Sequence, residues 1–121
     1  HWNVEGVNFT QYHEFFEELY TDIYESIDPT AEQLRKLNDY APVSMDELFK
    51  YKTLQEETTR IEELTGILTS LNKANDEVLA SLNKVFTLAT AQNEQGLCNF
   101  LADRIDAHKK HEWMLRSILK A

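Results

Sequence analysis

Residues 13–32, HEFFEELYTDIYESIDPTAE, carry two ligand-type pairs at helical spacing, His13 with Glu17 and Asp28 with Glu32. On a helix each pair lies on one face, one turn apart, which suits two side chains sharing a cation. Glu17 and Asp28 are eleven residues apart, close to three whole turns, so both pairs share that face. His13 and Asp28 lie roughly 22 Å apart along the helical rise, so one straight helix cannot bring both pairs to one metal. Residues 13 and 32 are centred between positions 22 and 23, and so are residues 17 and 28. A second copy crossing antiparallel at that centre would set His13 opposite Glu32 of the partner subunit, and Glu17 opposite Asp28 of the partner subunit. An isologous dimer then builds two identical sites across its interface. Either pair alone reads as a polar, solvated helix face. The common face and common centre rank the metal reading above that one.

Length and composition bound the alternatives. A chain of 121 residues is read as one domain with a modest core. Its net charge of −9 repels nucleic acid and anionic membranes and attracts cations. No basic run exceeds the Lys109-Lys110 pair, and no apolar run approaches spanning length. The lone Cys98 excludes an intrachain disulfide and fits a reducing, cytoplasmic compartment. Three Gly and two Pro interrupt the chain, which favours long helices. The chain opens on His1 rather than Met, and the expectation is that it is incomplete at its N-terminus.

Residues His1-Trp2-Asn3-Val4 read as the last turn of an upstream helix that stops at Glu5-Gly6. Asn8 with Gln11 then forms a capping box, and Val7 with Tyr12 a hydrophobic staple. The hairpin implied there sets His1 level with His13, so two imidazoles approach one point. One long helix is expected from Phe9 to about Leu37, kinked at Pro29 but continuous. Its core stripe is Phe9, Tyr12, Phe16, Leu19, Ile23, Ile27, Ala31 and Leu34. Tyr20 and Tyr24 lie on the ligand face, where they read as interface packing. Ser44 with Glu47 caps a short helix, Met45 to about Tyr51. A further long helix is expected to start between Leu54 and Arg60, with a stripe of Ile61, Leu64, Leu68, Leu71, Asn75, Val78, Leu82, Val85 and Ala89. Asn75 interrupts that stripe as a register device or as a position turned outward. After a turn at Gln92 to Gln95 comes a last helix carrying Leu97, Leu101, Ile105, His108, Leu115 and Leu119. His108 and His111 read first as packed and solvated histidines, with a metal pair ranked below. Cys98 reads as a small core residue.

The sum is all-α: an antiparallel four-helix bundle whose first helix is largely missing, with a short helix in the crossover between the second and third long helices. Iron sites inside such bundles use Glu-x-x-His motifs. None occurs here, so the ligands left over are those facing a second copy.

The run HWNVEG at residues 1–6, His13 twelve residues after His1, IDPTAE at 27–32 and HEWMLRS at 111–117 resemble the Dps mini-ferritins, the DNA-protecting proteins of starved cells. That resemblance implies a ferritin-like bundle assembled into a hollow shell of twelve subunits. It implies oxidation of ferrous iron, preferably by hydrogen peroxide rather than oxygen, and storage of the ferric product. It assigns His1, His13 and Glu17 as ligands from one subunit, and Asp28 and Glu32 from its mate. Trp2 becomes a candidate sink for a stray oxidising equivalent, against the plain reading of a core aromatic. Glu17 stands where the family commonly has Asp, and Gln33 where Arg is usual. Among residues that would line the family's iron pores, only Glu94 is acidic, with Gln95 and Asn99 nearby.

Two other classes stand beside the ferroxidase: an oligomer that sequesters divalent ions without turnover, and a structural helical oligomer. Iron-dependent peroxide consumption separates the first reading from both. On charge alone, this region should give no gel shift with duplex DNA at physiological salt, because affinity for DNA comes mainly from phosphate neutralisation. A shift that persists at that salt would contradict the expectation.

Overall fold

The computed structural model describes residues 1–120. It contains α1 (Phe9–Glu25), α2 (Ile27–Lys36), α3 (Met45–Tyr51), α4 (Leu64–Ala91) and α5 (Gln95–Leu119), and no strand among the described residues. The chain divides into two compact units, His1–Thr58 and Thr59–Ala121.

In the first unit, residues 1–8 are not helical, contrary to the expected last helical turn. Asn8 does sit at the N-cap of α1, but in the left-handed region at φ 65°, and its side chain caps nothing. The staple fails as well, since Val7 is 87% exposed. The turn is closed instead by the Phe9 N–H donating to the Gly6 carbonyl, at 3.1 Å. Val4, Phe15, Phe16 and Leu19 are buried, whereas Phe9, Ile23 and Ile27 of the expected core stripe are exposed.

The continuous helix expected through Pro29 is divided at Ser26, three residues earlier. Proline has no N–H to give the carbonyl four residues back, and its ring crowds that carbonyl. The carbonyl in question belongs to Glu25, where α1 ends. Ser26 keeps helical angles (φ −79°, ψ −13°), and its N–H tightens onto the Ile23 carbonyl at 3.1 Å. Its hydroxyl donates to the same carbonyl at 2.6 Å, and its own carbonyl accepts from the Thr30 N–H at 3.0 Å. Pro29 thus occupies the first turn of α2, where its missing donor costs little.

α2 ends in a Schellman motif. Asn38 is left-handed at φ 64°, with Asn38 N–H on the Arg35 carbonyl and Asp39 N–H on the Leu34 carbonyl, both at 3.0 Å. The capped short helix is as expected: the Ser44 hydroxyl accepts from the Glu47 N–H at 3.1 Å. Glu47 returns the contact to the Val43 N–H at 2.9 Å.

The second unit is a helical hairpin of α4 and α5, joined by a three-residue turn that makes neighbours antiparallel. α4 begins at Leu64, later than expected. Thr58 and Thr59 are β-branched residues of weak helix propensity, and the observed N-cap, Glu63, makes no side-chain cap bond. The same Schellman geometry ends α4, with Asn93 at φ 57° and the Glu94 N–H on the Ala89 carbonyl at 3.0 Å.

Asn75 is buried, which settles the choice in favour of a register device. Its Nδ2 donates to the His108 carbonyl at 3.0 Å, and its Oδ1 faces His108 Nδ1 at 2.8 Å. Arg104 lies 3.0 Å from His108 Nε2 and can only donate, so Nε2 accepts and the ring proton sits on Nδ1. Both nitrogens of His108 are therefore occupied. His111 is also buried, edge-on to His108 at 5.1 Å, rather than solvated. Leu68, Leu79, Ala89, Leu101 and Leu115 form the apolar part of this core. Asn75→Ala should lower unfolding free energy by about 2 kcal/mol in chemical denaturation, since it leaves a buried imidazole N–H unpaired. An unchanged midpoint would show that the network does not fix the register.

Candidate metal centre

Three of the five expected ligands meet within one chain. One donor atom from each of His1, His13 and Glu17 lies within 4.8 Å of the others. α1 fixes His13 and Glu17 one turn apart, and His1 arrives on the irregular segment before it. The level placement of the two histidines is as expected: their rings stack with centroids 3.8 Å apart and planes 21° apart.

The hydrogen bonds decide what those rings can do. His1 Nδ1 is 2.8 Å from the His13 carbonyl, and His13 Nδ1 is 2.9 Å from the His1 carbonyl. A carbonyl only accepts, so each Nδ1 carries a proton and donates. A neutral imidazole protonated there keeps its lone pair on Nε2, the atom a metal needs. The arrangement is the outer-shell bonding that selects the tautomer in metal-binding histidines. With the Glu17 carboxylate, the donor set is two borderline nitrogens and a hard oxygen, which suits ferrous iron and other divalent transition metals. Both histidines are half-buried and Glu17 is exposed.

Asp28 and Glu32 are not part of this cluster. They lie one turn apart on α2 and are exposed. Trp2 is 90% exposed, so it is not a core aromatic. Glu94 precedes α5 as an exposed residue of the turn. Glu14, Glu17, Glu18, Asp22 and Glu25 make an acidic face along α1. Two contacts escaped the sequence reading. Phe9, placed in the core stripe, stacks on His13 at 5.1 Å, and Tyr20, read as interface packing, meets His1 edge-on at 5.2 Å. Tyr20 lies seven residues after His13, two turns along the same face, and that spacing was the available signal.

Comparison with known proteins agrees with this all-helical fold. The ferritin-like domain profile matches residues 1–121. DNA protection during starvation protein 2 of Bacillus anthracis is 30% identical, over 98% of this chain and 81% of its own length. The crystal structure of antigen TpF1 from Treponema pallidum superposes with a TM-score of 0.94 at 28% identity, covering 99% of this chain and 77% of that one. A Vibrio cholerae DPS protein, described as a member of a broad superfamily of ferritin-like diiron-carboxylate proteins, superposes at 0.90 with 28% identity, over 98% and 74%. The chain belongs to the ferritin-like family, and within it to the Dps mini-ferritins. Its fold is the family's four-helix bundle, with α3 as the short helix that follows the first long helical stretch. The family's general business is iron storage and protection against oxidative damage.

If the Nε2 lone pairs and Glu17 form a donor set, His13→Ala should weaken Co2+ binding at least tenfold in a visible-absorbance titration. The His108→Ala change removes a ring whose nitrogens are both occupied within the second unit, so it should leave the cobalt affinity of the folded chain unchanged. Equal binding by wild type and His13→Ala would remove His13 from the ligand set.

Proposed function

We propose that this protein oxidises ferrous iron at sites shared between two copies and stores the ferric product, with hydrogen peroxide preferred over oxygen. The observation that carries the reading is the reciprocal Nδ1–carbonyl bonding of His1 and His13, which leaves an Nε2 lone pair on each ring of a cluster that includes Glu17. Three ligands from one chain leave coordination positions open, and Asp28 and Glu32 of the partner subunit would fill them. The exposed apolar residues Ile23, Tyr24 and Ile27 surround the expected two-fold centre, and such a patch favours burial against a second copy. Two-fold dimers would build a closed shell, for which twelve subunits is the expectation. One ferritin-like domain over residues 1–121, in the cytoplasm, completes the proposal. No described helix is long and apolar enough to cross a membrane.

Iron is the substrate here, and the chain's own groups account for its handling. The acidic face of α1 includes Glu17, which also belongs to the His1–His13 cluster. Its field draws divalent cations toward the cluster. Carboxylate and imidazole hold ferrous iron without the lock of a thiolate set. Peroxide takes two electrons and two protons to become water, and two ferrous ions supply one electron each. A neighbouring pair of ions thus consumes peroxide without releasing hydroxyl radical. Trp2, exposed beside His1, is assigned as a sink for an unpaired oxidising equivalent. Glu94 is assigned to iron entry.

Complementation tests the shared site. His13→Ala with Glu17→Ala in one variant, and Asp28→Ala with Glu32→Ala in another, should each abolish fast ferrous oxidation. Co-expressed, the two form mixed dimers in which one site of two regains every ligand. Activity should return in proportion to mixed dimers. A mixture as inactive as its parents, with mixed dimers present, would sink the shared-site reading.

A further inference from the structure

His13 and Glu17 are held by α1, but His1 lies on an irregular segment that supplies no helical bond to orient its ring. Four rings form a row at this point. Phe9 stacks on His13 at 5.1 Å and 27°, and His13 stacks on His1 at 3.8 Å and 21°. Tyr20 closes the row, edge-on to His1 at 5.2 Å and 80°. Phe9 and Tyr20 are eleven residues apart on α1, close to three turns, so one helix supplies both ends of the row.

We propose that Tyr20 is a positioning residue for the metal centre, its aromatic ring fixing the plane of the His1 imidazole. The inference rests on the metal-site reading above. The single bond from His1 Nδ1 to the His13 carbonyl fixes one atom of the ring but leaves rotation about that bond. The stack with His13 is one aromatic restraint on that rotation, and the perpendicular contact with Tyr20 is the other. Edge-to-face rings attract through their quadrupoles, so the restraint is directional and needs an aromatic ring rather than a hydroxyl. With the ring fixed before metal arrives, the cost of ordering His1 falls on folding instead of on binding. Tyr20 is half exposed in the single chain, so its substitution removes no part of the core of its own subunit.

The test uses the full chain in its assembled form, with Co2+ as the probe and its visible absorbance as the readout. Tyr20→Phe keeps the ring and should bind cobalt within twofold of wild type, with the same spectrum. Tyr20→Leu should bind about tenfold more weakly with an altered band envelope, at an unchanged thermal midpoint without metal. Should the leucine variant misfold, Tyr20→Met supplies the same non-aromatic comparison. Wild-type affinity and spectrum in the non-aromatic variant would overturn the proposal. So would an equal loss in Tyr20→Phe, which would put the role on the hydroxyl. No cobalt binding by wild type would overturn the metal centre itself, and the positioning role with it. Binding that is lost in His13→Ala but intact in Tyr20→Leu would overturn only the positioning role.

Discussion

Two imidazole N–H groups, each donating to the other residue's main-chain carbonyl, tie an irregular segment to a helix. The tautomer that leaves an Nε2 lone pair on each ring depends on that exchange. The exchange satisfies two backbone acceptors outside the helical ladder. It also selects one tautomer at both rings, which a solvated histidine does not do. A constraint that serves the backbone therefore also prepares the ligands. Val4 is buried, and the His1 ring is stacked on His13 of α1.

The contrast with His108 is instructive because the same residue type is used to the opposite end. His108 has Nδ1 on Asn75 and Nε2 on Arg104, so its ring is occupied on both sides and acts as a structural bridge between α4 and α5. His1 and His13 have one side occupied and one side available. Identity of residue does not separate these roles; the count of occupied nitrogens does. The His108–His111 spacing alone would suit a metal pair, but a helix places side chains without saying what else competes for them.

How much was legible in the sequence differs from element to element. The meeting of His1 and His13 was legible because a turn between them forces the two positions level. Ser44 and Glu47 were legible because their bonds are local. The Asn75 site was half legible: an amide in an apolar stripe signals a device or an exposure, and only the facing helix decides between them. The break at Ser26 was misread as a kink at Pro29, because the proline's effect falls on the carbonyl four residues back rather than on its own position. Asn8 and Val7 failed as cap and staple because those motifs assume an extended entry, and this chain enters α1 through a left-handed residue. Asp28 and Glu32 lie exposed on α2, outside the cluster that His1, His13 and Glu17 form, and their pairing with a second copy belongs to the proposed function.

The three left-handed asparagines have a consequence for the unfolded chain. Asn8, Asn38 and Asn93 occupy backbone positions where glycine is the usual choice, in a chain with three glycines in all. Asparagine tolerates that conformation at modest strain, and it explores fewer backbone states than glycine when the protein is unfolded. Each such turn gives up a little native comfort and in return narrows the ensemble that folding must compete against, by up to about 1 kcal/mol per position. Two of these residues end long helices, so the places where the chain reverses are already biased before any tertiary contact forms.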